Sequence, residues 1–250
     1  MQKKKEFCFN IDFNCILYQY IPRIFNNIIL ENDVPQPIDD SVLDLAEFIL
    51  ESDAIEGYRD DIDVLLRQIK AKKKTGHVGA MLLLDDLVDA QITQYLDQEL
   101  ICRVQGLIVA EQDSTGTGRG FKLDNQFIGQ YRNINVMVGK ARCPAWQEVP
   151  TLMRDLLARV IWLQQNGRFQ DVRRRAELVA DFHFDFLTIH PFADDNGRSG
   201  RAAARFLLKN IGIKPFIFTS EDKHETYYKC FDKHESMREY FFDKLKITTQ

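Results

Sequence analysis

The stretch His190-Pro191-Phe192-Ala193-Asp194-Asp195-Asn196-Gly197-Arg198-Ser199-Gly200-Arg201 puts an imidazole, two carboxylates, a glycine turn and two guanidinium groups into twelve residues. His190 can take a proton near neutral pH. Asp194 offers the hard oxygen that Mg²⁺ takes beside phosphates. Arg198 and Arg201 are three apart and share a face if the segment is helical. Two helical patterns must position them. Leu178, Val179, Phe182, Phe186 and Ile189 recur at helical spacing up to His190, and Ala202 to Leu208 form a second helix beyond it. The loop then stands at a helix N-terminus, where free N–H groups and the helix dipole favour an anion. Together these parts suit attack of a hydroxyl on a bound phosphate ester.

A second cluster lies far upstream, in Ser52-Asp53-Ala54-Ile55-Glu56-Gly57. Val42, Leu45, Ala46, Phe48, Ile49 and Ile55 make residues 41–56 an amphipathic helix. Ser52 and Glu56 are four apart and share one of its faces. Gly57 suits the left-handed cap that ends such a helix. A carboxylate held there can pair bidentately with a guanidinium.

The loop resembles the signature of the Fic family, His-Pro-Phe-x-Asp/Glu-Gly-Asn-Gly-Arg-x-x-Arg, and departs from it at Asp195, where the family has glycine. Tyr131-Arg132 through Gly139, Pro144, Val149 to Met153 and Trp162 resemble the family's target-binding flap and the helix after it. Tyr227 and Tyr228 resemble the tyrosines that wall its nucleotide pocket. The likeness runs from the middle of the chain to its end, and the Ser52–Gly57 segment adds the family's inhibitory pattern, Ser/Thr-x-x-x-Glu-Gly/Asn.

The resemblance implies an all-α fold, a Fic-type helical bundle with a small β-hairpin flap at about 134–144. It implies a helical region over 1–105, with the inhibitory helix at 41–57, and a Fic core over 106–250 that carries the loop at 190–201. The implied activity is transfer of AMP from ATP to a Ser, Thr or Tyr hydroxyl of a target protein bound along the flap. His190 is the base and Asp194 the Mg²⁺ ligand. Asn196 and Gly197 serve the α-phosphate, Arg198 the β-phosphate, and Arg201 either the γ-phosphate or Glu56, with Ser52 beside it. Tyr227 and Tyr228 flank the base. Asp195 adds charge near a polyphosphate unless it turns to solvent or to the metal. Alternatives are therefore a different nucleotide-derived donor, removal of AMP, or a catalytically impaired nucleotide-binding adaptor. His234-Glu235 stands where the family often has an adenine-contacting Asn. Self-modification and a homo-oligomer are further expectations.

Composition narrows the rest. The 250 residues are 45% hydrophobic with a formal net charge of −4, ordinary for a globular chain and without a global case for nucleic acid. The runs Lys3 to Lys5, Lys72 to Lys74 and Arg173 to Arg175 read as solvated faces. Cys8, Cys15, Cys102, Cys143 and Cys230 are scattered, with no Cys-x-x-Cys pair, which argues against zinc and for reduced thiols in a cytoplasm, the cell's own or a host's. Asn10, Asp12 and Asn14 break the apolar stretch near the start before it reaches signal-peptide length, and no apolar run spans a membrane.

Further elements are read from periodicity. Residues 60–73 are expected to be helical and 82–111 to hold further helical segments, with Thr75-Gly76 and Gly79 as breaks and 113–118 as a mobile loop. Ile134, Val136 and Val138 alternate with polar neighbours ahead of Gly139, a strand signal. The chain is expected to be helical again over 149–164 and from Asp171 onward. Residues 1–35 read as a cap on the N-terminal helices. Phe192 reads as a core anchor for the loop, and His183 as a packed, hydrogen-bonded histidine.

Overall fold

The computed structural model describes residues 38–90, 94–110 and 123–248, so the readings on 1–35 and 113–118 lie outside the described residues. Asp39 opens helix α1 (Asp40–Ile55), its carboxylate accepting from the Ser41 N–H at 2.8 Å. Tyr58 N–H donates to Asp53 C=O and Gly57 N–H to Ala54 C=O, both at 3.0 Å. This paired closure needs a left-handed residue, and Gly57 supplies it at φ +89°. Asp61 caps α2 (Ile62–Lys70) through the Asp63 and Val64 amides.

The break expected at Thr75-Gly76 is present, since α2 stops at Lys70 and α3 (Gly76–Asp89) begins at Gly76, whereas Gly79 lies inside the first turn of α3. A side chain at Gly79 would collide with the Lys74 backbone, so this glycine permits close approach and does not end a helix. Helix α4 (Gln98–Val109) follows, capped by Asp97 on the Leu100 amide, and runs across residues 105 and 106. The flap is a hairpin of β1 (Met137–Val138) and β2 (Ala141–Arg142), antiparallel, with Met137 opposite Arg142 and Val138 opposite Ala141. It is shorter than the alternation from Ile134 suggested. Ile134, Met137 and Val138 are exposed, and among the described residues the hairpin is a sheet of two strands alone.

Helices α5 (Val149–Asn166), α6 (Val172–Ile189), α7 (Asn196–Asn210) and α8 (His234–Leu245) complete the bundle. The expectation of continuous helix after Asp171 fails between α7 and α8. Gly212 takes φ +76°, the chain through Pro215 is irregular, and Tyr227–Asp232 forms a 3₁₀ turn. Helix α6 packs on α5, α7 and α8, while α7 also meets α1, α3 and α4.

Helix α7 is therefore enclosed. Ala202, Ala203 and Ala204 are fully buried and let its neighbours approach closely. Its arginines are buried too, and α1 supplies their counter-groups: Asp53 for Arg198 (3.1 Å), Glu56 for Arg201 (2.8 Å) and Asp44 for Arg205 (2.6 Å). Buried guanidinium groups persist only when paired in this way. Among the described residues no helix is long and apolar enough to cross a membrane.

Candidate active site

The loop between α6 and α7 carries two left-handed residues. His190 (φ 53°, ψ 61°) ends α6 and Asp195 (φ 63°, ψ 27°) begins α7. Such angles are uncommon outside glycine, with His and Asp among the residues that tolerate them best. The sharp turns between them are pinned from inside. Phe192 is fully buried against Tyr131 and Phe186. The Asn196 amide accepts from Phe192 N–H and donates to Phe192 C=O, both at 2.9 Å. Both polar ends of this side chain are thus engaged with the loop's own backbone. Gln105 on α4 reaches the Asp194 carbonyl at 3.4 Å while its other end holds Gly129 at 2.6 Å.

His190 is half-buried. Its Nδ1 lies 3.3 Å from the Leu187 carbonyl, an acceptor, so Nδ1 carries the proton and Nε2 keeps its lone pair. Burial lowers the imidazole pKa below its ordinary value, so the ring is a neutral base at pH 7.

Arg132 holds the flap to this loop, a role its sequence position did not disclose. Buried, it donates to the carbonyls of His190 (2.8 Å), Ile134 (2.8 Å), Pro144 (2.7 Å) and Ile189 (3.2 Å). Its amide bonds Pro191 C=O at 2.9 Å. Both ends of the flap and the turn at His190 therefore share one guanidinium.

Glu56 meets Arg201 as the two motifs suggested. The guanidinium fork is shared: Nη2 donates to Glu56 Oε1 at 2.8 Å and to the Ser52 carbonyl at 2.9 Å, and Nε donates to Ser52 Oγ at 2.9 Å. A side chain at Gly197 would strike the Glu56 carboxylate. That carboxylate thus lies against the first turn of α7, whose N–H groups have no intrahelical acceptors and which the Asp195 side chain does not cap.

Asp195 turns neither to solvent nor toward a metal position. It is buried, and its Oδ1 lies 2.5 Å from both Nε and Nη2 of Arg198. Asp53 meets the same arginine at 3.1 Å, and the Tyr58 ring lies 4.4 Å from its guanidinium carbon. Burial pushes the Asp195 carboxyl up to about 6 against the opposing pull of Arg198, so it is ionised at pH 7. Behind Arg198, His77 Nδ1 lies 3.0 Å from Asp53. Asp60 bonds Asp53, and burial beside that carboxylate raises Asp60 to about 7.

Asp53, Tyr58, Asp60 and His77 were not singled out from the sequence. The available signal was Asp53 inside the Ser52–Glu56 segment, three residues from Glu56 on a related helix face. The paired tyrosines also separate. Tyr228 is 42% exposed, whereas Tyr227 is 1% exposed and its hydroxyl bonds His183 at 2.8 Å, so of the two it is Tyr228 whose ring is accessible. His234 pairs with Asp185 at 2.7 Å and lies against Phe184. Asp194 is half-buried and accepts from the Asp195 amide at 2.8 Å. Among the described residues, no trio of His, Cys, Asp or Glu is arranged to hold a metal ion. One carboxylate completed by substrate phosphates is nevertheless a usual Mg²⁺ arrangement, and Asp194 fits that mode.

Comparison with known proteins agrees with this geometry. Residues 95–208 match the Fic/DOC family. The protein adenylyltransferase Fic of Nematostella vectensis is 30% identical over 99 residues, 40% of this chain and 22% of that protein. A uridine 5'-monophosphate transferase of Xanthomonas campestris pv. campestris is 30% identical over 101 residues, 37% of this chain and 18% of that protein. The chain spans about a fifth of the length of these curated relatives. The fold is similar to that of a Fic domain containing signaling protein from Bacteroides thetaiotaomicron. The TM-score is 0.61 at 18% identity, covering 84% of this chain and 88% of that one. Residues 95–208, which hold the flap and the His190–Arg201 loop, are thus similar to the Fic/DOC family in sequence, and the fold agrees.

Proposed function

We propose that this chain is a self-inhibited nucleotidyltransferase that moves AMP from ATP to a hydroxyl of a target protein. The observation that carries the reading is the Glu56 carboxylate, held on Arg201 and against Gly197 at the N-terminus of α7, within a loop whose base is His190. An internal anion standing at an anion-binding helix end is a built-in competitor for a phosphate.

In the transfer, His190 Nε2 takes the proton of the target hydroxyl, the oxygen attacks the α-phosphorus, and pyrophosphate leaves. The N–H groups at Gly197 face the α-phosphate, and Arg198 and Arg201 face the β- and γ-phosphates once their internal partners yield. Asp194 would hold Mg²⁺ together with those phosphates, and the ion supplies charge neutralisation there. Tyr228 offers the accessible aromatic wall for the base. The target backbone pairs along the flap, where Met137 and Val138 are exposed. Self-modification, a homo-oligomer and action in a cytoplasm belong to the same reading.

Incubation with α-labelled ATP and Mg²⁺ tests it. Glu56→Gly is expected to label itself faster than the wild type, and His190→Ala in the same background is expected to remain unlabelled. Equal labelling of Glu56→Gly and wild type removes the inhibitory role. A loss of activity in Glu56→Gly would instead favour removal of AMP, with Glu56 acting on water.

A second reading rests on Asp195, which holds the arginine expected at the β-phosphate. It makes the chain a transferase for another nucleotide-derived group, or a nucleotide-binding adaptor. The named activity of the Xanthomonas relative makes UTP the first alternative donor to try.

A further inference from the structure

His183 and Tyr227 lie beneath Arg201, and neither has a part in the chemistry outlined above. His183 is fully buried in a nest of rings, with Phe218 at 5.1 Å, Phe241 at 5.8 Å and Phe231 at 6.3 Å. Its two nitrogens are nonetheless both engaged. Nδ1 lies 3.2 Å from the Gly200 carbonyl and Nε2 lies 2.8 Å from the Tyr227 hydroxyl. The Tyr227 oxygen in turn bonds the Arg201 guanidinium.

Donor and acceptor rules leave one arrangement of protons. A carbonyl only accepts, so Nδ1 carries the hydrogen that goes to Gly200. Burial beside Arg201 lowers the imidazole pKa to about 3, so the ring stays neutral and Nε2 has a bare lone pair. The Tyr227 O–H must then donate to Nε2. Arg201 has only donors, and it meets the lone pairs of the same oxygen. The hydroxyl hydrogen cannot turn toward the guanidinium without abandoning His183 Nε2.

We infer that His183 and Tyr227 are positioning residues that hold Arg201 in place for a triphosphate after Glu56 has let go. Ser52 and Glu56 grip the guanidinium from α1, but the Glu56 contact must break before a phosphate can take its place. The Tyr227 contact comes from the 3₁₀ turn and not from α1, and a neutral hydroxyl carries no charge to compete with an anion. It keeps the arginine from following Glu56 or collapsing into the vacated space. The fixed proton order makes Tyr227 an acceptor toward Arg201.

The inference rests on the reading of Arg201 as a phosphate ligand, and the test separates the two. In the full chain carrying Glu56→Gly, ATP and AMP binding are measured by calorimetry for the additional changes Arg201→Ala, Tyr227→Phe, His183→Phe and His183→Gln. Tyr227→Phe keeps the ring and removes only the hydroxyl. It is expected to weaken ATP binding about tenfold and leave AMP unchanged, since AMP carries no phosphate within reach of Arg201. His183→Phe, which leaves the hydroxyl without its acceptor, is expected to behave similarly, and His183→Gln, which restores an acceptor, to recover part of the loss. A merely structural role would weaken ATP and AMP together. Loss of both, or of neither, in Tyr227→Phe and His183→Phe overturns the inference while Arg201→Ala still separates ATP from AMP. If Arg201→Ala itself leaves the ATP-to-AMP ratio unchanged, the phosphate reading of Arg201 falls and the positioning role falls with it.

Discussion

Replacing Asp195 with glycine restores the residue that the loop pattern carries elsewhere, and the structure gives the change a definite size. Two terms oppose each other in the folded state. A non-glycine residue at φ 63°, ψ 27° is strained by about 1 kcal/mol, which glycine relieves. Breaking a buried ion pair costs about 3–5 kcal/mol. Here the lower end applies, because Arg198 keeps Asp53 at 3.1 Å and the Tyr58 ring at 4.4 Å. The difference is a destabilisation of about 2 kcal/mol, and for a chain of this size that lowers Tm by roughly 4–8 °C. The same change frees Arg198 Nε and Nη2 for an incoming phosphate. One charge-assisted hydrogen bond is worth about 1.5–3 kcal/mol, so ADP should bind roughly tenfold to a hundredfold more tightly. AMP lacks the β-phosphate and serves as the internal control. Calorimetric titration of ADP and AMP into wild type and Asp195→Gly, with a thermal melt of each, decides the matter. An unchanged ADP-to-AMP affinity ratio would refute the competition between Asp195 and a β-phosphate. A raised Tm would refute the claim that the pair with Arg198 holds the loop.

Three further outcomes follow from other contacts. His190→Ala should lower transfer by about two to four decades, with ATP affinity in the Glu56→Gly background unchanged, as single-turnover labelling and calorimetry would show. Arg132→Ala strands the carbonyls of His190, Ile134, Pro144 and Ile189; a urea melt should show a loss of at least about 3 kcal/mol, and Arg132→Lys should not restore it, since an ammonium lacks the planar fork. Asp60 has its pKa raised from 3.8 to about 7. The native state therefore binds more protons than the unfolded chain between those values, and stability contributed by this group is lost as pH rises from about 4 through 7; Asp60→Asn should flatten that decline in a pH series of thermal melts, and an unaltered slope would show that Asp60 does not hold the proton.

The loop and the helix around Glu56 were legible because their information is local. Helical spacing gives α1, α6 and α7, and the Ser52–Glu56 interval fixes a shared face. Other features depended on which way a side chain turns after the backbone is set. Asp195 read as an unfavourable charge unless it turned to solvent or a metal, and it folds back onto Arg198 because the left-handed turn aims it along the first turn of α7. Tyr227 and Tyr228 are neighbours with similar sequence credentials, yet a 3₁₀ turn sends one into the His183 nest and leaves the other outside. Gly79 looked like a helix breaker, since a glycine chosen for closeness to Lys74 and one chosen to end a helix read alike. The hairpin's alternation was visible, but the exposure of Ile134, Met137 and Val138 was not, because burial depends on what packs against a face.

The row of arginines along α7 also bears on how this protein moves. Asp44, Asp53 and Glu56 on α1 neutralise Arg205, Arg198 and Arg201 inside the bundle. If α1 lifted away as a rigid lid, it would strand several cations among alanine and phenylalanine side chains at once. The energetically accessible opening is therefore a rotation of the Glu56 side chain at the C-terminal end of its helix, beside Gly57. In native-state hydrogen exchange, the amides in the middle of α1 and α7 should open together, near the global unfolding limit, while those at Glu56 to Tyr58 exchange by small local fluctuations.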